Sequence, residues 1–481
     1  MTVDKIHQTI YFLFLVCFSI VSNGQTTNRI LNISHIEALK QDFRLFRNNI
    51  QKSYPSLDRY SDGNKMETLF DSSYASINEK TTDLTFYKQL KMLLSEMKDG
   101  HLYCSLPPGL ETDRNEKTLF FPLKLQFIAR KVYVISATNA QIPAGSEIKS
   151  INEKPIDTII TELLKYIPAD GNIQTKKYHI LNNFFYFYYF IAFDESPTFD
   201  IQFKSPDGQL KNSKIKADLE QNIIGPEIAA PPQSLLDFSI EPDQTALITI
   251  KTFDPSALKG NFSDFLETSF KQIKDLKLNK LIIDLRGNSG GKDTYGSLLY
   301  SYLANKPFRY YKNLQTATNN LDFNQFKSTV SSYNDLQPSM LRRVKNNQYQ
   351  LGKEAHPNLQ LFQPNNYHYN GKVLFLIDGL SFSTTSEFCA IAYSHKRGDF
   401  IGEETGGTYE GNTSGVQSEF TLPNTKIQVS FGTIKYEMAV NSVAEPGKGI
   451  VPQHKVISTI QDLIERKDVQ LTYAIWLANQ K

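Results

Sequence analysis

The chain has 481 residues, a formal net charge of +2 and an aromatic content of 12%. This length is too great for one small core and suits two or three domains. Because the sequence contains no long basic or acidic block, we expect no nucleic-acid partner.

The N-terminal segment is typical of a secretory signal peptide. An apolar run, Ile10 to Val21, is too short to span a bilayer and is followed by small residues before Gln25. We therefore predict a signal peptide at 1–24 and no transmembrane segment after its removal. The exported protein is expected to be periplasmic or extracellular, with association with the cell envelope as an alternative. A lipoprotein signal centred on Cys17 is the alternative, although bulky residues flank this cysteine.

The next segments predict a helical region and then a β-rich region. Between 35 and 100, apolar residues recur every three or four positions, as in "DLTFYKQLKMLLSEMKDG". From 118 to about 215, apolar runs and alternations are separated by turns, including a hairpin turn at Pro206-Asp207-Gly208. An amphipathic helix is predicted in this region for "IDTIITELLKYI". These patterns predict domains at 25–117 and 118–220.

From about residue 235, predicted strands alternate with predicted helices. The strands are "ALITIKTF", "KLIIDL" and "KVLFLID", and a polar insertion of unassigned role lies at about 309–370. The chain is therefore predicted to be α/β (α+β overall), with an α/β core at 235–481 that contains parallel strand pairs. In such sheets, ligands bind where loops converge at the carboxyl ends of the strands.

A glycine-rich loop follows one of these strands. In "IIDLRGNSGG", Gly287, Gly290 and Gly291 permit close backbone approach, and such a loop can direct N–H groups at a developing negative charge. The spacing does not match a phosphate-binding P-loop, and no GxGxxG is present. A tight strand-to-helix turn is the purely structural alternative.

A cluster of hydroxyl side chains follows another strand, in "DGLSFSTTSEF". Such residues commonly cap helices, but one of them could also be a nucleophile, which requires a base. Of the eight histidines, His101 lies in a loop directly after Asp99-Gly100. A loop histidine is more often a surface residue than a catalyst, so the residues alone leave both interpretations open.

Four segments occur together in an order that resembles the tail-specific (C-terminal processing) serine peptidase family. They are "KDGH", "GSEIKSINEKPID", "LIIDLRGNSGG" and "SFSTTSEF". The resemblance implies a helical N-terminal part, a PDZ-like module at 118–220 and a peptidase core of the ClpP/crotonase-like type. It also implies a polypeptide substrate and endopeptidase activity.

The resemblance assigns roles to individual residues. Ser383 matches the nucleophile, and Thr408 stands where one branch of the family has a catalytic Lys. The tricorn-core-like branch instead uses a His from a "DGH"-like segment and a carboxylate near the C-terminal end, which implies His101 and Glu445. The implied oxyanion hole is formed by Gly290, Gly291 and Thr384.

Other features of the sequence leave alternatives open. No CxxC, HExxH or EF-hand spacing occurs, so we expect no metal and no cofactor. Cys104 and Cys389 would remain after signal removal, and their pairing is undecided, as is the oligomeric state. A non-catalytic peptide- or ligand-binding protein of the same fold is the main alternative function, and an esterase or other acyl hydrolase is the third.

Overall fold

The computed structural model describes residues 34–60, 62–137, 141–224, 234–319, 338–344, 348–441 and 445–480. The predicted signal peptide lies outside the described residues, as does much of the polar insertion. Within the described ranges, no helix is long and apolar enough to cross a membrane.

The N-terminal region is helical, as predicted. Its helices are His35–Ser53 (α1), Gly63–Ser76 (α2), Asp83–Glu96 (α3) and Pro108–Glu116 (α4). Side chains of Ser34, Asp62 and Thr82 accept N–H groups in the first turns of α1, α2 and α3, which explains where these helices begin.

A β-rich module follows. Its strands are Leu119–Phe120 (β2), Leu123–Ile128 (β3), Lys131–Ala137 (β4), Glu147–Ile151 (β5), Lys154–Pro155 (β6), Thr198–Lys204 (β7), Leu210–Lys216 (β8) and Asp218–Leu219 (β9). They form an antiparallel sheet of order β3-β4-β5-β7-β8, with β6 beside β5, and β2 pairs with β9. The predicted hairpin joins β7 and β8.

The helices of this module are Ile156–Leu163 (α5), Thr175–Phe193 (α6) and Glu220–Ile224 (α7). The first was predicted, whereas α6 was not. Helix α6 packs against β3, and its aromatic side chains join a core shared with the N-terminal helices. Because this helix is apolar on several sides, its sequence lacks the single apolar stripe that identifies an amphipathic helix.

The α/β core contains a six-stranded sheet. Its strands are Leu236–Ile240 (β10), Ala246–Ile250 (β11), Lys280–Asp284 (β12), Lys372–Ile377 (β18), Asp399–Gly402 (β19) and His454–Lys455 (β22), paired in this order. All neighbours are parallel except β10 and β11. The prediction of an α/β fold with parallel strand pairs is therefore confirmed.

Helices cover this sheet. They are Phe262–Asp275 (α8), Asp293–Ser301 (α9), Thr384–Ser394 (α10) and Val469–Ala478 (α12), whereas the short helix Ile460–Ile464 (α11) contacts β4 of the β-rich module. Side chains of α8, α9 and α10 share one apolar core with the sheet, and α12 covers a smaller apolar cluster.

A second, antiparallel sheet extends the core. It joins Tyr103–Cys104 (β1), Tyr311–Thr316 (β14), Leu341–Arg343 (β15), Tyr349–Leu351 (β16), Thr413–Thr421 (β20) and Gln428–Met438 (β21). Strands Phe308–Arg309 (β13) and Leu361–Phe362 (β17) form a separate pair. The pairing of β1 with β21 attaches the loop after the N-terminal helices to the core.

Candidate active site

The two strand ends identified in the sequence lie side by side. Strands β12 and β18 are parallel neighbours, and Asp284 pairs with Leu376. The loops that follow them are hydrogen-bonded to each other: the Gly287 N–H donates to the carboxylate of Asp378, and the Ser381 hydroxyl donates to the Leu285 carbonyl. The glycine-rich loop and the hydroxyl cluster therefore share one edge of the sheet.

Ser383 has an unusual backbone conformation directly before helix α10. Its φ is 53° and its ψ is −126°, a region that residues with a side chain rarely occupy. Ser383 occupies the N-cap position, yet its hydroxyl makes no capping hydrogen bond. Strain of this kind is found where a side chain must be held at a functional site. The geometry therefore does not support the helix-capping interpretation of Ser383.

Two of the hydroxyls that follow Ser383 have structural partners. Thr384 Oγ1 donates to the Gly291 carbonyl at 2.8 Å, and Ser386 Oγ donates to the Ser383 carbonyl at 2.8 Å. Thr385 is buried, and its hydroxyl has no partner. The cluster thus combines hydroxyls that fix the turn with Ser383 at its start.

The glycine-rich loop lies against this turn. A Cβ atom on Gly290 would stand 2.7 Å from Ser383 Cβ, so only glycine permits the approach. The Gly290 N–H donates to Asn288 Oδ1 within its own loop. The backbone N–H groups of Gly291 and Thr384 have no acceptor among the described residues. Of the predicted oxyanion donors, Gly291 and Thr384 are the ones whose N–H groups are free.

His101 reaches the same place through the turn after α3. Its ring lies 4.4 Å, centroid to centroid, from the ring of Phe382, the residue before Ser383. Its Nδ1 lies 3.3 Å from Asp99 Oδ1, and its Nε2 is buried without a hydrogen-bond partner. Asp99 and His101, which flank Gly100, therefore lie beside the turn that carries Ser383.

Asp99 is the carboxylate that contacts the imidazole, and the sequence analysis did not select it. It is 4% exposed, and its Oδ2 accepts the Tyr54 hydroxyl at 2.6 Å. Burial opposes ionisation of Asp99, but hydrogen bonds from His101 and Tyr54 hold its pKa below the usual value. The sequence signal for Asp99 was its place in "DGH", two residues before His101, because a side chain at this separation can contact a loop histidine.

Glu445 is the carboxylate that the resemblance assigned to His101. It is exposed, and no hydrogen bond or ion pair to His101 is found for it within the described ranges. Thr408 stands where one branch of the family has a catalytic lysine. It is 1% exposed, and its hydroxyl bonds the Tyr60 hydroxyl at 2.8 Å. Thr408 therefore belongs to a packed contact between the N-terminal region and the core.

Asp170 and Lys176 complete a group that we call the His101 cluster (Asp99, His101, Asp170 and Lys176). Asp170 Oδ1 accepts the Gly100 N–H at 2.6 Å, while its Oδ2 is buried without a partner. Burial, and then the charge of Asp99, raise the pKa of Asp170. Neither residue belongs to a motif, so the sequence offered no signal for them.

The carboxylates and imidazole of this cluster are also close enough to be considered as metal ligands. One ligand atom each from Asp99, His101 and Asp170 lies within 4.8 Å of the others. However, the buried side chain of Lys176 already supplies a positive charge beside them, and a second cation would be repelled. We therefore interpret the cluster in terms of acid–base chemistry.

The two described cysteines are buried and unpaired. Burial raises the pKa of Cys104 to about 11 and raises the pKa of Cys389 further. Neither thiol is therefore a reactive thiolate near neutral pH.

One family of known proteins matches the sequence of the core. No curated protein matches the sequence, but residues 244–456 match the model of peptidase family S41. The core is a domain of peptidase family S41. The matched segment contains both the glycine-rich loop and Ser383, so the prediction of this peptidase family and of a serine-type peptidase is confirmed.

Solved structures share the fold of this S41 peptidase. Mature CPAF superposes with a TM-score of 0.61 and 14% identity, covering 92% of this chain and 96% of that chain. Mature CPAF complexed with lactacystin superposes with a TM-score of 0.61 and 15% identity, covering 92% of this chain and 98% of that chain. A photosystem II D1 C-terminal processing protease matches with a TM-score of 0.41 and 12% identity, covering 88% and 93%. At 14% and 15% identity, the likeness to CPAF concerns the fold, and no conclusion is drawn from the D1 protease.

Proposed function

We propose that the protein is an exported serine endopeptidase in which Ser383 is the nucleophile and His101 the general base. The observation that carries the proposal is the strained backbone of Ser383, whose hydroxyl is not used for capping, beside an imidazole with a free buried Nε2. A polypeptide substrate follows from the peptidase family.

In this mechanism Ser383 Oγ attacks the peptide carbonyl while His101 Nε2 accepts the proton of the Ser383 hydroxyl. His101 then returns the proton to the leaving amine, and water repeats the sequence on the acyl-enzyme. A free Nε2 suits this role, since a nitrogen already bonded elsewhere would first have to give up that bond. Binding of substrate would align Ser383 Oγ with the imidazole.

Asp99 orients the imidazole in this proposal, in place of Glu445. Its Oδ1 faces Nδ1, so the neutral ring carries its proton on Nδ1 and leaves Nε2 as the base. The Tyr54 hydroxyl holds the other oxygen of Asp99. The imidazolium formed during acyl transfer would be stabilised by the buried carboxylate.

The oxyanion would be bound by the N–H groups of Gly291 and Thr384, with Gly290 providing the close approach to Ser383. Loss of one oxyanion donor typically costs about 3 kcal/mol of transition-state stabilisation. Peptide capture by the β-rich module, as a PDZ-like domain, belongs to the proposal as well. On the edge strand β3 of this module, the Phe127 N–H is already bonded to the Asn182 side chain, so this donor is not available to a captured peptide strand.

Labelling of the mature protein with a fluorophosphonate, followed by peptide mapping, tests the assignment. We expect the label on Ser383 and its loss in both Ser383→Ala and His101→Ala, with hydrolysis of an unfolded protein reduced by about 10⁴-fold or more. Ser386→Ala is the matched control, because it removes a hydroxyl of the same turn and should keep the label. A folded protein with no label, or an active His101→Ala variant, would refute the proposal and favour the non-catalytic alternative.

Export is tested separately. Expression in a host with a secretory pathway should give a mature N-terminus at Gln25, as read by mass spectrometry of the intact protein. Retention of residues 1–24, or a lipid on Cys17, would contradict the predicted cleavage.

A further inference from the structure

Lys176 is a buried lysine that contacts both turns of the proposed active site. It is the second residue of α6 and is 8% exposed. Its Nζ donates to the Gly100 carbonyl at 3.1 Å and lies 3.0 Å from the centre of the Phe382 ring. Gly100 directly precedes His101, and Phe382 directly precedes Ser383. One ammonium group therefore joins the backbone next to the base with the side chain next to the nucleophile.

Gly100 makes room for this ammonium. A Cβ atom at Gly100 would overlap Lys176 Nζ and would stand 3.0 Å from Phe382 Cζ. The backbone of Gly100 is not in a conformation that only glycine adopts, so the space is the reason for glycine here. The "KDGH" sequence thus positions a histidine and leaves a gap that the lysine fills.

Electrostatics also supports a structural link between the two turns. The titratable groups whose charges act on Lys176 are Asp170, from the loop before α6, and Asp99, from the turn after α3, and His101 acts on the same Asp170. Burial lowers the pKa of Lys176 to about 8, while the charges of Asp170 and Asp99 oppose this shift. A cation over an aromatic ring is favourable, and more so when it is desolvated.

Helix α6 is itself fixed to the core at this end. The Thr175 hydroxyl donates to the Glu404 carbonyl, and His179 Nε2 lies 2.8 Å from Glu403 Oε2. Further along, the helix packs on β3 of the β-rich module. The position of Lys176 is therefore set by a helix that contacts both the core and the module.

We propose that Lys176 is a positioning residue whose ammonium group holds the His101 turn against the Ser383 turn, so that base and nucleophile meet in the correct geometry. The inference rests on the proposed function. It assigns to Lys176 no contact with substrate. Loss of the positive charge releases both turns at once, since the same Nζ serves the Gly100 carbonyl and the Phe382 ring.

The test compares Lys176→Met with Lys177→Met. Lys177 is the matched control because it is half-buried and its pKa is also lowered to about 8, yet its Nζ bonds the Leu164 carbonyl and Ser95, away from both turns. We expect Lys176→Met to lower kcat and the rate of fluorophosphonate labelling by about 10- to 100-fold with KM nearly unchanged, as for a misplaced catalytic group. Lys177→Met should keep the wild-type kcat.

The pH profile separates positioning from simple loss of stability. In the wild type the labelling rate should fall as the pH rises through about 8, where the ammonium is lost. Lys177→Met should retain this fall. Lys176→Arg keeps its charge and should extend the plateau to higher pH, whereas folded Lys176→Met should be slow and should show no fall as the pH passes about 8.

The outcomes distinguish this inference from the proposed function. Suppose that Ser383 is labelled in the wild type and that Lys176→Met is labelled with the wild-type rate and pH profile. This result would overturn only the role of Lys176. If Lys176→Met does not fold, an unchanged alkaline limb in folded Lys176→Arg overturns it. A wild type that is not labelled at Ser383 overturns both proposals.

Discussion

Two buried groups of titratable side chains lie close to helix α10, and they differ in how their polar atoms are used. The His101 cluster contains atoms without a partner, namely His101 Nε2 and Asp170 Oδ2. The second group, which we call the Glu387 cluster, consists of Asp293, Tyr311, His356, Glu387 and Asn412. It lies within the core, and the bonds of its side chains join its members to one another.

The Glu387 cluster is closed by hydrogen bonds. Both carboxylate oxygens of Glu387 accept bonds, from the Tyr311 hydroxyl and from Asn412 Nδ2, each at 2.8 Å. His356 bonds Asp293 through Nε2 and accepts a backbone N–H at Nδ1. Burial and the charge of Asp293 raise the pKa of Glu387 to about 8. A perturbed pKa is therefore present in both clusters, and it is the unbonded atoms that distinguish the one we assign to catalysis.

Replacement of Asp99, the carboxylate beside the imidazole, should lower activity more than replacement of Gly100 or Glu387. Asp99→Asn should lower kcat by about 10²–10⁴-fold, because the ring loses the acceptor that fixes its tautomer. Steady-state hydrolysis of an unfolded protein measures this. Glu445→Gln is the control, and a change within about twofold is expected for an exposed side chain. A larger loss in Glu445→Gln than in Asp99→Asn would return the orienting role to Glu445.

A methyl group at Gly100 should have an intermediate effect. Gly100→Ala displaces the Lys176 ammonium and crowds Phe382, and we expect kcat to fall by about 10-fold with the fold retained. Activity and thermal unfolding of the same preparation give the measurement. Gly109→Ala is the control, since nothing lies within 4 Å of its added Cβ. Full activity in Gly100→Ala would show that the contact has no influence on catalysis.

Replacement within the Glu387 cluster should leave catalysis almost unchanged and alter the pH dependence of stability. Folding raises the pKa of Glu387 from 4.5 to about 8, so the folded state binds this proton more tightly than the unfolded state. The stabilisation is complete below pH 4.5 and is lost as the pH rises towards 8. Glu387→Gln stays neutral and should remove this loss.

Thermal unfolding at several pH values measures this difference. Near pH 5, wild type and Glu387→Gln should melt at similar temperatures, and above pH 8 the variant should melt higher than the wild type. Its kcat should stay within about twofold of wild type, because the carboxylate of Glu387 bonds Tyr311 and Asn412 and not the His101 cluster. A tenfold fall in kcat in the folded variant would place the Glu387 cluster in the catalytic machinery and remove the contrast.

Much of the core could be predicted from the sequence because its signals are local. The strands "KLIIDL" and "KVLFLID" are continuous apolar runs that end in turn residues, and parallel pairing follows from the helices between them. Their pairing placed the glycine-rich loop beside Ser383, as the sequence analysis had supposed. Helix α6 was missed because it is apolar on several sides and shows no single stripe.

The fold class, the family and the candidate residues Ser383 and His101 could be predicted from the sequence alone, since each of these predictions depends on neighbours in the chain. The tertiary structure decided which groups surround them. Tyr54, Asp170 and Lys176 reach the His101 turn from separate elements, and β1 joins that turn to the core through β21. Contacts between residues so far apart in the chain depend on packing of whole helices and strands, and no local pattern of letters specifies them.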